Sequence, residues 1–364
     1  MSRSNHRHRG AIAAVSALLL AFAMLGAGCG SSASSAAKDM SLEELPANDA
    51  VSVRLGYFPN VTHAPALVGL DQGLFSGELG AIGATIDPKS FNAGPEAIEA
   101  IFAGALDITY IGPNPAVNAF QKSNGQAVQI VAGSTSGGAA FVVQPSITSA
   151  VDLEGKTVAS PQLGGTQDIA LRSWLAGQGL KTDTSGGGDV VIKPQANADT
   201  LSTFKSGAIV GAWVPAPWDT RLVTEGGGKV LVDEATLWPN GQFATTVILV
   251  RTAFLNEHPA AVAAILRAHL AALNSITSNP SAAQASTNKE IETVTGKRLA
   301  ESLITASWKS LSFTPNPLAE TIKKSADEAV VLGLNKKIDI APIFNLSLLN
   351  ALLKTQGQPA VSGL

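Results

Sequence analysis

The sequence predicts an α/β protein of two lobes, built on mainly parallel sheets and completed by a helical C-terminal part. Three observations predict it. Short strand-like runs alternate with helical patterns twice over, across residues 51–143 and again across 157–232, which is the signature of βαβ units. A fully apolar run at 245–251, TTVILVR, follows and can return to the first sheet. Everything after Phe254 carries a helical period. A length of 364 residues also suits about two domains.

Residues 51–57 alternate apolar and polar, as a strand does, and 64–74 read as a short helix. A strand at 84–90 precedes a helix at 94–103, whose Ile98, Ile101 and Phe102 share one face behind Pro95 in the first turn. A strand at 107–111, a helix at 115–122, a strand at 128–132 and the run 139–143 complete the first block. The second block reads as strand 157–159, helix 167–177, strand 190–193, helix 198–205, strand 209–213, helix 217–224 and strand 229–232. In the tail, 258–278 is long and alanine-rich, with Val262, Ile265, Leu266 and Leu273 forming an apolar stripe. Helices at 281–294, 299–310, 317–332 and 346–354 follow. No fixed-period repeat is present, which argues against a solenoid. The first lobe is therefore assigned to residues 51–143 with 245–364, and the second to 144–244.

The first 28 residues read as an address. Arg3, Arg7 and Arg9 form a positive start, and 11–25 is an uncharged apolar run too short for a comfortable membrane span. Small residues lead to Cys29, the only cysteine of the chain. This pattern resembles a bacterial lipoprotein signal, which implies cleavage before Cys29 and a diacylglycerol on its thiol; an ordinary signal peptide or a membrane anchor is the alternative. Gly26 stands where that pattern prefers a leucine, with Leu25 one place earlier. Residues 29–50, opening GSSASSAA after the cysteine, suit a flexible tether. Loss of 1–28 removes three arginines and no acid, taking the net charge from −3 to −6. The longest later apolar stretch, 260–276, is interrupted by Arg267 and His269. The mature body is expected to be exported and lipid-anchored at the outer face of the cell membrane.

Charge and composition exclude several classes. A net charge of −3 and 5 % aromatic residues offer neither a basic field nor stacking platforms for nucleic acid. One cysteine rules out a disulfide framework and thiolate-rich zinc sites. Past the leader only His63, His258 and His269 remain, without metal-binding spacing, and the last two read as solvated or capping. Gly155-Lys156-Thr157 lacks the upstream glycine of a phosphate loop and precedes a strand. In Gly133-Ser134-Thr135-Ser136-Gly137 a threonine stands where a nucleophile elbow needs serine. Asp71 with Glu78, and Glu96 with Glu99, read as solvated helix charges. No catalytic residue, metal or cofactor is expected.

The loops that follow the predicted strands carry the information, because ligands of open α/β sheets bind there. They offer Asn60, Thr62 and His63 after the first strand, Asn92 after the second, and Asn114 at a helix start after the third. Ser136 and Gly137 follow the fourth, Gly165, Thr166 and Gln167 open a helix in the second block, and Trp213 ends a strand. No Lys or Arg lies in these loops. Neutral amides, hydroxyls and helix starts can hold a small anion reversibly without a salt bridge. Phe58, Phe91 and Trp213 are available to wall an alkyl tail.

At this point the residues resemble a family. The order Gly56-Tyr57-Phe58-Pro59-Asn60, His63-Ala64-Pro65-Ala66-Leu67 and Gly73-Leu74-Phe75 is similar to the opening of solute-binding proteins of nitrate, taurine and aliphatic sulfonate importers. Gly94-Pro95-Glu96-Ala97-Ile98, Ala103-Gly104-Ala105-Leu106-Asp107, Asp152-Leu153-Glu154-Gly155-Lys156, Gly165-Thr166-Gln167-Asp168, Ala212-Trp213-Val214-Pro215 and Gly241-Gln242-Phe243-Ala244-Thr245-Thr246 also fit. The likeness spans residues 51–273. It departs at Ala216, where relatives often carry an acid, and this implies a ligand lacking an amine.

The resemblance implies a type II periplasmic-binding-protein fold that closes over its ligand by a hinge. It further implies a monomer that delivers a small anionic solute to an ABC permease and its ATPase. An aliphatic sulfonate leads, with nitrate or taurine next. The alternatives are a binding protein for a thiamine-pyrimidine precursor and a pyrimidine-synthase-like enzyme of the same fold. The enzyme is disfavoured because no cysteine follows Cys29. The same resemblance implies that Asn60, His63, Asn114, Ser136, Gly137, Thr166, Gln167 and Trp213 face the cleft.

Overall fold

The computed structural model describes residues 42–185 and 187–364. The leader and Cys29 lie outside the described residues. The first sheet is assembled from β1 (Ser52–Tyr57), α1 (Ala64–Asp71), α2 (Leu74–Gly80), β2 (Thr85–Ser90), α3 (Gly94–Phe102), β3 (Ile108–Ile111), α4 (Pro113–Lys122) and β4 (Val128–Gly137). The chain then builds a second sheet from β5 (Ala139–Val143), β6 (Thr157–Ser160), α5 (Thr166–Gly177), β7 (Val191–Pro194), α6 (Asn197–Lys205), β8 (Gly211–Pro215), α7 (Trp218–Thr224) and β9 (Lys229–Asp233). It returns through β10 (Ala244–Arg251) and ends in α8 (Thr252–Glu257), α9 (Pro259–Ser278), α10 (Pro280–Thr295), α11 (Glu301–Trp308), β11 (Leu311–Phe313), α12 (Ala319–Val331) and α13 (Ser347–Thr355).

The strand orders are β11-β4-β10-β3-β1-β2 and β7-β6-β8-β5-β9. Strands of the βαβ units share one direction, while β10, β11 and β5 run against their neighbours. Strands β3, β5, β8 and β10 are covered on both faces and therefore read as near-continuous apolar runs. Strand β2, at an edge, is exposed and protected by Asp87, Pro88 and Lys89.

Three details correct the sequence reading. Residues 139–143, expected to close the first lobe, pair with β8 and β9 and so belong to the second sheet. The change of sheet occurs at Gly137 and Gly138, with φ of +82° and +71°, and any Cβ at Gly138 would strike the Leu311 side chain. The tail is not wholly helical, since β11 pairs with the end of β4. The tether does not extend to residue 50: Leu42 and Leu45 pack on the first core, and Asp49 Oδ1 meets His258 Nδ1 at 2.6 Å.

The core of the first lobe is organised by α9. This helix is long and apolar enough to span a membrane, yet most of it is buried within the protein. Its alanines at 260, 261, 263, 264 and 268 are fully or almost fully covered, letting the helix lie close to the sheet. His269, expected to be solvated or capping, is fully buried. Its Nε2 lies 3.0 Å from the Gly133 carbonyl and its Nδ1 3.0 Å from the Tyr110 hydroxyl. Since a carbonyl only accepts, Nε2 carries the proton and Tyr110 donates to Nδ1. At the opposite end of the strands, Asp107 accepts from Arg54 Nε at 2.8 Å and Arg251 Nη2 at 3.1 Å, which ties β1 and β10 to the start of β3.

Candidate functional site

Between the two sheets lies a cavity of about 40 Å³, walled from one side by the loops after β1, β2 and β3 and from the other by the loops opening α5 and α6. No charged side chain lines it. Helices α3, α4, α5 and α6 all begin at this cavity, and none of them has a side-chain cap. Their starts supply positive ends of helix dipoles, and the first-turn N–H groups that proline does not remove remain available to an anion.

Each lobe contributes fixed polar groups. On the first, His63 is buried, 4.3 Å from the Phe58 ring, and its Nδ1 accepts from the Phe58 backbone N–H at 3.3 Å. Burial pushes its pKa down to about 3, so the ring is neutral and its proton sits on Nε2. Nε2–H is thus a donor without a protein partner among the described residues. Asn60 Oδ1 accepts from the Trp218 indole at 2.9 Å, which orients its amide N–H groups. Asn92 also lines the cavity.

On the second lobe, α5 is pinned from behind. Asp168 accepts from Ser160 Oγ at 2.7 Å, Gly164 N–H at 3.0 Å and Arg172 Nε at 2.9 Å, all away from the cavity. Gly165, Thr166 and Gln167 line the cavity at the start of this helix. Seven buried side-chain polar atoms lack a partner among the described residues, and three of them, Gln162 Oε1, Thr166 Oγ1 and Asn197 Oδ1, belong to this lining. Buried polar atoms are normally paired, and three of the seven are concentrated in this lining. Thr166 Oγ1 lies against Gly112, and a Cβ at Gly112 would collide with it.

Of the residues expected in the cleft, Asn60, His63, Asn92, Gly165, Thr166 and Gln167 come together there. Four do not. Helix α4 starts at Pro113, earlier than expected, which places Asn114 inside its first turn. Its side chain turns to α12, accepting from Ser325 Oγ at 2.8 Å and donating to the Ser325 carbonyl at 3.3 Å. Ser136 Oγ accepts from the Phe243 N–H at 3.2 Å, and Gly137 N–H donates to the Phe243 carbonyl at 3.3 Å, so both serve the crossing between sheets. Trp213 is wholly buried, stacked on Phe141 at 5.6 Å, with its indole N–H donating to Glu234 Oε2 at 2.7 Å. Of the three aromatic residues considered for a tail, Phe58 alone lines the cavity, while Phe91 packs with α3 and α4. Gln162 and Asn197 were not anticipated, although each follows a strand by a few residues and obeys the rule that located the others.

The sequence pattern of the NMT1-like family matches residues 47–289, well over half of the chain. This chain belongs to the NMT1-like family. The match contains every lining residue of the cavity. Among relatives, the taurine-binding periplasmic protein of Escherichia coli (strain K12) is 29 % identical over 234 residues, 64 % of this chain and 68 % of that protein. Among solved structures, the alkanesulfonate-binding protein SsuA from Xanthomonas axonopodis pv. citri, bound to MOPS, superposes with a TM-score of 0.68 at 19 % identity, covering 83 % of this chain and all of that one. The periplasmic nitrate-binding protein NrtA from Synechocystis PCC 6803 gives 0.70 at 15 % identity, covering 86 % and 91 %. This member of the NMT1-like family therefore has the fold of the periplasmic binding proteins.

Proposed function

We propose that this chain is the solute-binding component of an ABC importer and that it captures a small solute with an oxyanion head, an aliphatic sulfonate first, nitrate or taurine next. The observation that carries this reading is the convergence of the unpartnered Thr166 hydroxyl, the His63 Nε2–H and four uncapped helix starts on a cavity without charge. Such a site solvates an anion by neutral dipoles, which permits the reversible holding that delivery to a permease requires. A water needs about 10–15 Å³ on the same measure, so about 40 Å³ suits an oxyanion head. Taurine's ammonium meets no carboxylate in this lining, which ranks it behind sulfonates without an amine. The taurine-, alkanesulfonate- and nitrate-binding relatives support the same solute class and a binding role without catalysis.

On this reading the protein is exported, anchored by a lipid on Cys29, and works as a monomer with a permease and its ATPase. The test is a thermal-shift and calorimetric screen of the purified protein against ethanesulfonate, taurine, nitrate, bicarbonate and an aminopyrimidine. Millimolar ligand with micromolar affinity adds about 4 kcal/mol, a clear shift. Ethanesulfonate is expected to stabilise most, with no turnover. A flat response to every anion overturns the proposal. Cys29→Ser is expected to move the protein from the membrane fraction to the soluble one.

A further inference from the structure

The inner cavity adjoins a second chamber of about 470 Å³, and Asn60, Asn92 and Asn197 line both. The outer chamber has a different chemistry. Leu201, Ile291 and Leu299 give it apolar walls, and the Trp218 ring adds to them. Its charged residues are Lys205, Arg221 and Lys297 against Glu225 alone. Arg221 is already committed, with Nε and Nη2 donating to Glu225 at 2.8 and 3.1 Å and its guanidinium 4.5 Å over the Trp218 ring. The Glu225 carboxyl is held below its ordinary range, first by that hydrogen bond and further by the fields of Lys297 and Lys205. Neither lysine has an ion-pair partner among the described residues, and they come from opposite lobes: Lys205 ends α6, while Lys297 follows α10.

Arg221 and Glu225 cancel, leaving two positive charges at the far end of an apolar passage whose near end holds uncharged donors. We propose that the natural solute is a two-ended anion, with a compact oxyanion head in the inner cavity and a second acidic group, at the end of a short apolar chain, between Lys205 and Lys297. This rests on the inner cavity being an oxyanion site. On this proposal the chain that joins the two ends runs past the three asparagines, which line both the inner cavity and the outer chamber. Asn197 and Lys205 stand at the two ends of α6, about 12 Å apart at 1.5 Å per residue, which sets the scale of the solute as a few methylenes.

The test compares matched solutes on the full chain by calorimetry at low salt: butanesulfonate against sulfobutanoate and hexanesulfonate against sulfohexanoate. At one of the two chain lengths the carboxylated solute is expected to bind about two- to thirtyfold more tightly, the range for two solvent-exposed ion pairs. Lys205→Met and Lys297→Met, which keep the alkyl stems, are expected to erase that advantage while leaving the simple alkanesulfonates unchanged. Equal binding within both pairs overturns the proposal. So does equal weakening of both solutes by the lysine variants, which would make these charges a steering field only. If the alkanesulfonates bind without a carboxylate advantage, the two-ended solute fails and the oxyanion site stands. If no member of either pair binds, both fail.

Discussion

The indole N–H of Trp218, in the second lobe, donates to Asn60 Oδ1, in the first, at 2.9 Å. Asn60 lines both chambers and Trp218 the outer one, and the bond fixes the orientation of the Asn60 amide. It also makes the ligand-facing amide report on the distance between lobes. A second bridge, Ser307 Oγ to Thr220 Oγ1 at 3.0 Å, lies on the same side.

Trp218→Phe keeps an aromatic ring, though a smaller one, and removes the donor. A net hydrogen bond contributes about 0.5–1.5 kcal/mol, so anion affinity is expected to fall about two- to tenfold, with the melting temperature of the ligand-free protein nearly unchanged. Calorimetric titration with ethanesulfonate checks this. Unaltered affinity would mean that Asn60 is oriented by something else.

Gly112→Ala places a methyl group against Thr166 Oγ1 and is expected to hold the lobes apart. Binding should drop at least tenfold, and small-angle scattering should show a more open body that ligand no longer compacts. Adding Thr166→Ala removes the clash and is expected to restore compaction, though not full affinity, because the hydroxyl is lost. If the single variant binds and closes normally, the two surfaces do not need this close approach.

Four buried titratable groups are expected to make opposed contributions to stability as pH changes. Burial pushes His63 down to about 3 and His269 to about 4, so both are neutral when folded and must charge on unfolding in acid. Their contribution is present above about pH 6.5 and is lost below it. Burial pushes Glu234 up to about 7 and Asp219 to about 6. The folded state there retains protons that the unfolded chain has released, so this contribution is full below about pH 4 and is lost as pH rises through 6 and 7. Between about pH 5 and 6.5 the two rising and two falling contributions offset one another, and above about pH 8 none of the four groups differs in protonation between the folded and unfolded chains, so melting curves from pH 5 to 9 are expected to be nearly flat. Glu234→Gln, whose amide oxygen can still accept from Trp213, removes one falling contribution and is expected to make stability rise from pH 5 to about 6.5. An unchanged profile in that variant would assign the balance to other groups.

Much of this was legible in the residues because the deciding interactions are local. The loops after β1 and β6 announced themselves through their position after a strand and their uncharged donors, which located Asn60, His63 and Thr166. Asn114 looked the same but is claimed by Ser325, 211 residues away, and no local pattern carries that partner. His269 was misread for a similar reason, since its contacts, Tyr110 and Gly133, lie 159 and 136 residues upstream. Trp213 ends a strand as a ligand residue would, but its ring is taken by Phe141 and Glu234. The boundary at Gly137-Gly138 was hidden inside a nearly continuous buried run, because β4 and β5 lie one residue apart yet pair in different sheets.

The chain passes between the sheets at Gly137-Gly138 and again at Gln242-Phe243, and the two passages are hydrogen-bonded to each other side by side. Two adjoining pivots behave like the pins of a door. On the proposed binding role, such pins would favour one swing over sliding or twisting, and a solute would enter and leave by the edge opposite them.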